Sequence, residues 1–145
     1  METYKDSIMI ALLPIQTDWS TLELPHVTLV YAGKVSDHKP GEFNELAKDA
    51  GSLAMMNNRL SLDVLGIEKF GNEEEPVDVL TLRPKPELMA MRRFVEGWNQ
   101  SEHKTFRPHA TIGPHPSMIG TLPIRLVFDR IGVYWGEDSI VFRLG

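Results

Sequence analysis

One five-residue pattern occurs twice in this chain and constrains the fold more than any other feature. Pro25-His26-Val27-Thr28-Leu29 reads proline, histidine, small apolar, threonine, larger apolar, and so does Pro108-His109-Ala110-Thr111-Ile112. The two histidines, at positions 26 and 109 of 145, lie 83 residues apart. On a β-strand successive side chains point to opposite faces. Val27 with Leu29, and Ala110 with Ile112, then face a core, while His26 with Thr28 and His109 with Thr111 face outward together. Two outward His-Thr pairs can build one two-histidine site.

The context of these pairs sets them apart from chance matches. His103-Lys104-Thr105 has the same spacing, and His115-Pro116-Ser117 differs only in its hydroxyl residue. His103 belongs to the polar run Ser101-Glu102-His103-Lys104, which reads as a turn. His115 lies between two prolines, which reads as a loop. Only His26 and His109 stand at the mouth of an apolar, β-prone run. Two ordinary strand-edge histidines beside backbone-satisfying hydroxyls are the plain alternative, and repetition of the whole five-residue pattern argues against it.

The remaining segments read as strands with two helices. Ser7 to Pro14 is almost wholly apolar and predicts a central strand buried on both faces. A polar loop carrying Trp19 leads to the first motif strand, about Pro25 to Ala32, closing at Gly33. Phe43, Leu46, Ala47, Ala50, Leu53 and Ala54 follow helical spacing and predict an amphipathic helix ended by Asn57-Asn58. Leu60 to Phe70 alternates with one slip, which predicts a bulge near Leu65-Gly66. The acidic run Gly71 to Glu75 reads as a solvated hairpin turn into the strand Val77 to Leu82. Pro86 opens a second helix on Leu88, Met91, Val95 and Trp98, and a polar loop, Asn99 to Thr105, follows. The second motif strand covers about Arg107 to Gly113. Ile124 to Trp135 is a long strand whose face switches at Asp129-Arg130, and the last strand, Ser139 to Leu144, follows a turn at Gly136-Glu137-Asp138. About seven strands and two helices without strict alternation make the fold class α+β. Each half holds a proline-ended apolar strand, one helix and one motif strand, in different orders.

Composition narrows the chemistry. Zero cysteines exclude disulfides, thiolate catalysis and Cys-ligated metals. A net charge of −5 argues against a broad nucleic-acid-binding surface, though not against a small nucleotide in a locally basic cleft. The chain has no apolar run long enough to span a bilayer. Its first residues lack the basic start and apolar stretch of a signal peptide, so the expected location is the cytoplasm, with no membrane partner. His103, His109 and His115 recur every six residues, which is neither a helical face nor a zinc-motif spacing.

Two histidines facing one phosphate form an acid–base pair that operates near neutral pH. One neutral imidazole takes a proton from the attacking oxygen, and the other, as imidazolium, protonates the leaving oxygen. Thr28 and Thr111 can donate hydroxyl hydrogens to the non-bridging oxygens. No metal or other cofactor is required. Arg107 and Lys34 are candidate sources of further positive charge, and Trp19 and Phe106, each just before a motif, are candidate base-stacking rings. Tyr31 shares the parity of Leu29 and is expected on the core side.

On these paired motifs, the size and the element order, the chain resembles the 2H phosphoesterase superfamily, also called 2′-5′ RNA ligase-like proteins. The resemblance implies one domain over residues 1–145. Two pseudo-symmetric lobes of antiparallel sheet would flank a central cleft, with the helices outside. It maps His26, Thr28, His109 and Thr111 onto the family's catalytic quartet and implies cleavage of cyclic or 2′-linked nucleotides without a metal. Many cellular members carry a long helix between the first strand and the first motif, where this chain has only Ile15 to Leu24. Compact members of this size occur in phages, where some cleave the cyclic oligonucleotides of bacterial immune signalling, and such a substrate is the expected partner. RNA ends, processed by a 2′,3′-cyclic phosphodiesterase or ligase-like enzyme, are the alternative. A third reading is a module that sequesters a nucleotide without turnover.

Overall fold

Strand β1 (Ser7–Pro14) shows why a nearly continuous apolar run belongs at the centre of a sheet. Ile8, Ile10, Ala11, Leu12 and Leu13 are all buried, and the strand pairs along both edges. In the computed structural model, which describes residues 6–101, 105–117 and 121–145, the other strands are β2 (Val27–Lys34), β3 (Leu60–Phe70), β4 (Val77–Leu82), β5 (His109–Pro114), β6 (Arg125–Trp135) and β7 (Asp138–Arg143). The helices are α1 (Glu42–Met56) and α2 (Pro86–Val95). The expected α+β class holds, and every sheet pairing is antiparallel.

The strand order is β1-β2-β5-β4-β3-β6-β7, with a further pairing of β1 to β6. The first six strands therefore close into a ring, and β7 lies outside it on β6. Strand β6 spans both sides of the ring. Its Arg125–Phe128 stretch pairs with β3, and its Phe128–Trp135 stretch pairs with β1. The switch falls at Asp129, where β6 carries one extra residue against Leu13–Pro14, as the change of face in the sequence predicts. The expected bulge in β3 is present between Val64 and Gly66.

Both helices bury the stripes read from their spacing. Leu46, Ala50, Leu53 and Ala54 of α1, and Leu88, Met91 and Val95 of α2, join one core with the strands. Pro86 stands in the first turn of α2, where its missing N–H costs nothing. The start of α1 is tied down by His38. Its Nε2 lies 2.7 Å from the Ala32 carbonyl and its Nδ1 2.7 Å from Glu42 Oε2, with the Trp135 ring packed beside it at 5.5 Å. Both partners are acceptors, so both ring nitrogens carry hydrogens and the ring is an imidazolium.

The ring is thinnest between β2 and β5, which share one rung, Val27 opposite Ala110. Beyond that rung the two strands leave their facing edges open, and buried backbone groups need other partners. Loops supply them reciprocally. Ahead of β2, Thr21 N donates to the Ile112 carbonyl at 2.8 Å and Ser20 Oγ to the Thr111 carbonyl at 2.9 Å, closing the edge of β5. Ahead of β5, Gln100 N donates to the Tyr31 carbonyl at 2.7 Å, closing the edge of β2. Gly113 makes room for this fit, because a Cβ there would meet the Thr21 hydroxyl and force that side chain to shift.

Candidate active site

The single rung places the two motifs against each other. With Val27 opposite Ala110, antiparallel pairing sets His26 across from Thr111 and Thr28 across from His109. The histidines are then diagonal neighbours, roughly 7–8 Å apart at this position in a ladder. Each motif alternates as expected: Val27, Leu29, Ala110 and Ile112 are buried, while both histidines and both threonines are part-exposed.

The two motifs match in hydrogen bonding as well as in sequence. His26 Nδ1 lies 2.7 Å from the Leu24 carbonyl and His109 Nδ1 lies 2.7 Å from the Arg107 carbonyl, each two residues back. A carbonyl only accepts, so Nδ1 carries the hydrogen in each ring. Proton exchange with a substrate is left to Nε2. Burial holds the His26 pKa below its ordinary value, and the positive charge of His109 pushes the same way. The Leu24 hydrogen bond opposes both. His109 also packs on Phe70, with ring centres 4.7 Å apart.

A hollow of about 410 Å³ opens beside this junction, lined among others by Thr28, His109, Tyr31, Phe70, Arg92 and Phe106. Several sequence expectations change here. Trp19 does not offer a face to a ligand. It is 1% exposed, belongs to the core, and its Nε1 donates to the Gln16 carbonyl at 2.6 Å. Tyr31 is on the cleft side, because β2 carries an extra residue at Leu29-Val30 against Ile10-Ala11. Both bulge residues are buried, and parity flips beyond them. Phe106, a candidate stacking ring, is among the residues that line the hollow. Arg107 lines it too, with its charge already engaged by Glu68, 2.9 and 3.0 Å from its Nη2. Lys34 is exposed at the end of β2 and is not among the lining residues.

Arg92 escaped the sequence reading. It is 8% exposed, its Nη1 donates to the Leu29 carbonyl, and its guanidinium lies 5.1 Å from the Phe106 ring centre. The spacing Leu88, Arg92, Val95 places it within the buried stripe of α2, which was the available signal.

The other described histidines, His38 and His115, serve elsewhere. His115 Nδ1 lies 2.8 Å from Asp78 Oδ1, and Ser117 donates to the same carboxylate through N and Oγ. These bonds, the Ser117 backbone one foremost, hold the Asp78 pKa below its usual range. Ser117 Oγ bonds the carboxylate rather than the imidazole, so this is a loop anchor and not a nucleophile–base pair. The third His-x-Thr, at His103, lies outside the described residues. Among the described residues, no three His, Asp or Glu side chains gather as a metal site.

The model of the 2′-5′ RNA ligase superfamily matches residues 17–139. The chain belongs to this superfamily. These 2H phosphoesterases are phosphodiesterases and ligases, so an enzyme of that broad class is the family-level assignment. No curated protein matches the sequence significantly. Several solved structures share the 2H fold. Usb1 of Kluyveromyces marxianus aligns over 98% of this chain and 99% of its own, at 9% identity and a TM-score of 0.65. TT0787 of Thermus thermophilus aligns over 96% and 95%, at 12% identity and 0.61. E. coli LigT complexed with 3′-AMP aligns over 97% and 95%, at 15% identity and 0.55. No helix among the described residues of this 2H protein is long and apolar enough to cross a membrane.

Proposed function

We propose that the chain is a single-domain, metal-independent phosphodiesterase that cleaves cyclic or 2′-linked nucleotides with His26, Thr28, His109 and Thr111. The observation that carries this reading is the atom-level duplication of the motifs across one rung, with both Nδ1 atoms committed to carbonyls. His26, kept below the ordinary histidine pKa, is the base. Its Nε2 removes a proton from the attacking water as the water oxygen forms the new bond to phosphorus. The bond from phosphorus to the ribose oxygen breaks, and His109 Nε2 gives that oxygen its proton. Thr28 and Thr111 donate to the non-bridging oxygens, where charge accumulates. The nucleotide preference is supported by membership in the superfamily and by LigT, which was solved with 3′-AMP, NADP+ and ATP. Cyclic oligonucleotides, of the kind used in bacterial immune signalling, are the favoured substrates within this class. The short Ile15 to Leu24 segment, where many cellular members of the superfamily carry a long helix, supports this preference over an RNA-processing role.

The test is turnover in chelator of 2′,3′-cyclic mononucleotides, 2′-5′ oligoadenylate and 3′,5′-linked cyclic oligonucleotides. His26→Ala and His109→Ala should each lose about 10²–10⁴-fold, and Thr28→Ala or Thr111→Ala about 10–1000-fold. A nitrophenyl leaving group needs no proton, so it should rescue His109→Ala and not His26→Ala. Full activity in the double histidine variant would remove the reading.

A further inference from the structure

We infer that Arg92 builds a second anion subsite in the cleft, one sugar-phosphate repeat from the reacting phosphate, so that the preferred substrate carries a second phosphate. This rests on the quartet reading above.

The first ground is position. The reacting phosphate sits at the β2–β5 rung, between His26 and His109. The hollow contacts only one of those histidines and runs on from Thr28 and His109 toward Tyr31, Arg92 and Phe106. Arg92 is fixed there by its bond to the Leu29 carbonyl, which the bulge in β2 presents toward α2. From the middle of the first motif to this point is about two to three residues of strand, roughly 7–10 Å at the usual rise. That separation exceeds a single phosphate and suits the neighbouring phosphate of a nucleotide chain.

The second ground is charge. Arg107 is the other arginine lining the hollow, and it is exposed and paired with Glu68 at 2.9 Å. Among the described residues Arg92 has no carboxylate in ion-pair contact. Exposed Glu96, one helical turn on, acts only through its field, while burial lowers the Arg92 pKa. A buried guanidinium with a single carbonyl partner is costly to keep charged, and an anion entering the hollow would supply the missing countercharge. The Phe106 ring, its centre 5.1 Å from the guanidinium carbon, gives it a cation–π contact at the same place.

The test compares binding of adenosine 3′-monophosphate and adenosine 3′,5′-bisphosphate to wild type, Arg92→Gln and Arg92→Lys by calorimetry. Gln keeps a donor for the Leu29 carbonyl without the charge. Wild type should prefer the bisphosphate by about 10- to 100-fold, the range of one charge-assisted contact, and the preference should shrink as salt is added. Arg92→Gln should lose the preference while keeping its monophosphate affinity, and Arg92→Lys should retain part of it. Equal affinities in wild type, or an equal loss for both ligands in Arg92→Gln, would overturn the subsite. Turnover of adenosine 2′,3′-cyclic phosphate, with and without a 5′-phosphate, separates the two ideas. Preference with no turnover of these, of 2′-5′ oligoadenylate or of 3′,5′-linked cyclic oligonucleotides keeps the subsite and sinks the quartet reading, while turnover without preference does the reverse.

Discussion

A histidine with one nitrogen committed to a backbone carbonyl has only the other with which to exchange protons. His26 and His109 share that arrangement, and burial depresses the pKa of His26. Followed by NMR, the His26 ring should titrate below the ordinary value of about 6.5, and replacing His109 with Gln should move it upward by removing a positive neighbour. Titration at or above 6.5 in the wild type would end the assignment of His26 as base. His38 shows the opposite balance. The Ala32 carbonyl foremost, with Glu42 and Asp37 assisting, raises its pKa against the effect of burial. A raised folded pKa stabilises fully below the unfolded value, about 6.5, and the contribution fades as pH climbs through the folded value. The melting temperature gap between wild type and His38→Gln should therefore be larger at pH 6 than at pH 9, and a gap independent of pH would refute the imidazolium. The motif histidines were legible in the sequence because apolar neighbours fixed their parity. Trp19 was misplaced because its polar neighbours conceal a ring that turns back into the core. Arg92 was missed because a charged residue in a helix reads as a solvated one.

The elements were legible wherever alternation broke visibly. Leu65-Gly66 and Asp129 each interrupt a polar–apolar rhythm, and both bulges are present. The bulge at Leu29-Val30 was not legible, because Val27, Leu29 and Val30 are all apolar and an inserted residue leaves no polar mark. That one residue carries Tyr31 from the core side to the cleft and presents the Leu29 carbonyl to Arg92. Loop partners were equally hidden, since nothing in Ser20-Thr21 shows which distant strand they close. Gly113→Ala tests that closure. The added methyl meets the Thr21 hydroxyl, and overpacking of this kind costs about 1–3 kcal/mol, read as a lower denaturation midpoint. Thr21→Ala in the same chain should recover part of the loss. A neutral Gly113→Ala would show that the loop yields freely.

Across the whole molecule the six-strand ring leaves its two histidine strands joined by one rung. The loop before each motif strand closes the edge of the other. Neither side can open without stripping hydrogen bonds from its counterpart, so unfolding should be all-or-none. Denaturation followed by tryptophan fluorescence, which samples Trp19, Trp98 and Trp135, and by far-ultraviolet circular dichroism should give coincident curves. Separated transitions would show that the halves are independent. The reciprocal loops also bear on symmetry. A fragment containing one motif strand would carry the loop its counterpart needs while lacking the loop its own edge needs. Two such fragments would satisfy each other by exchange. The single chain thus makes within itself the kind of reciprocal exchange that swapped protomers make between chains.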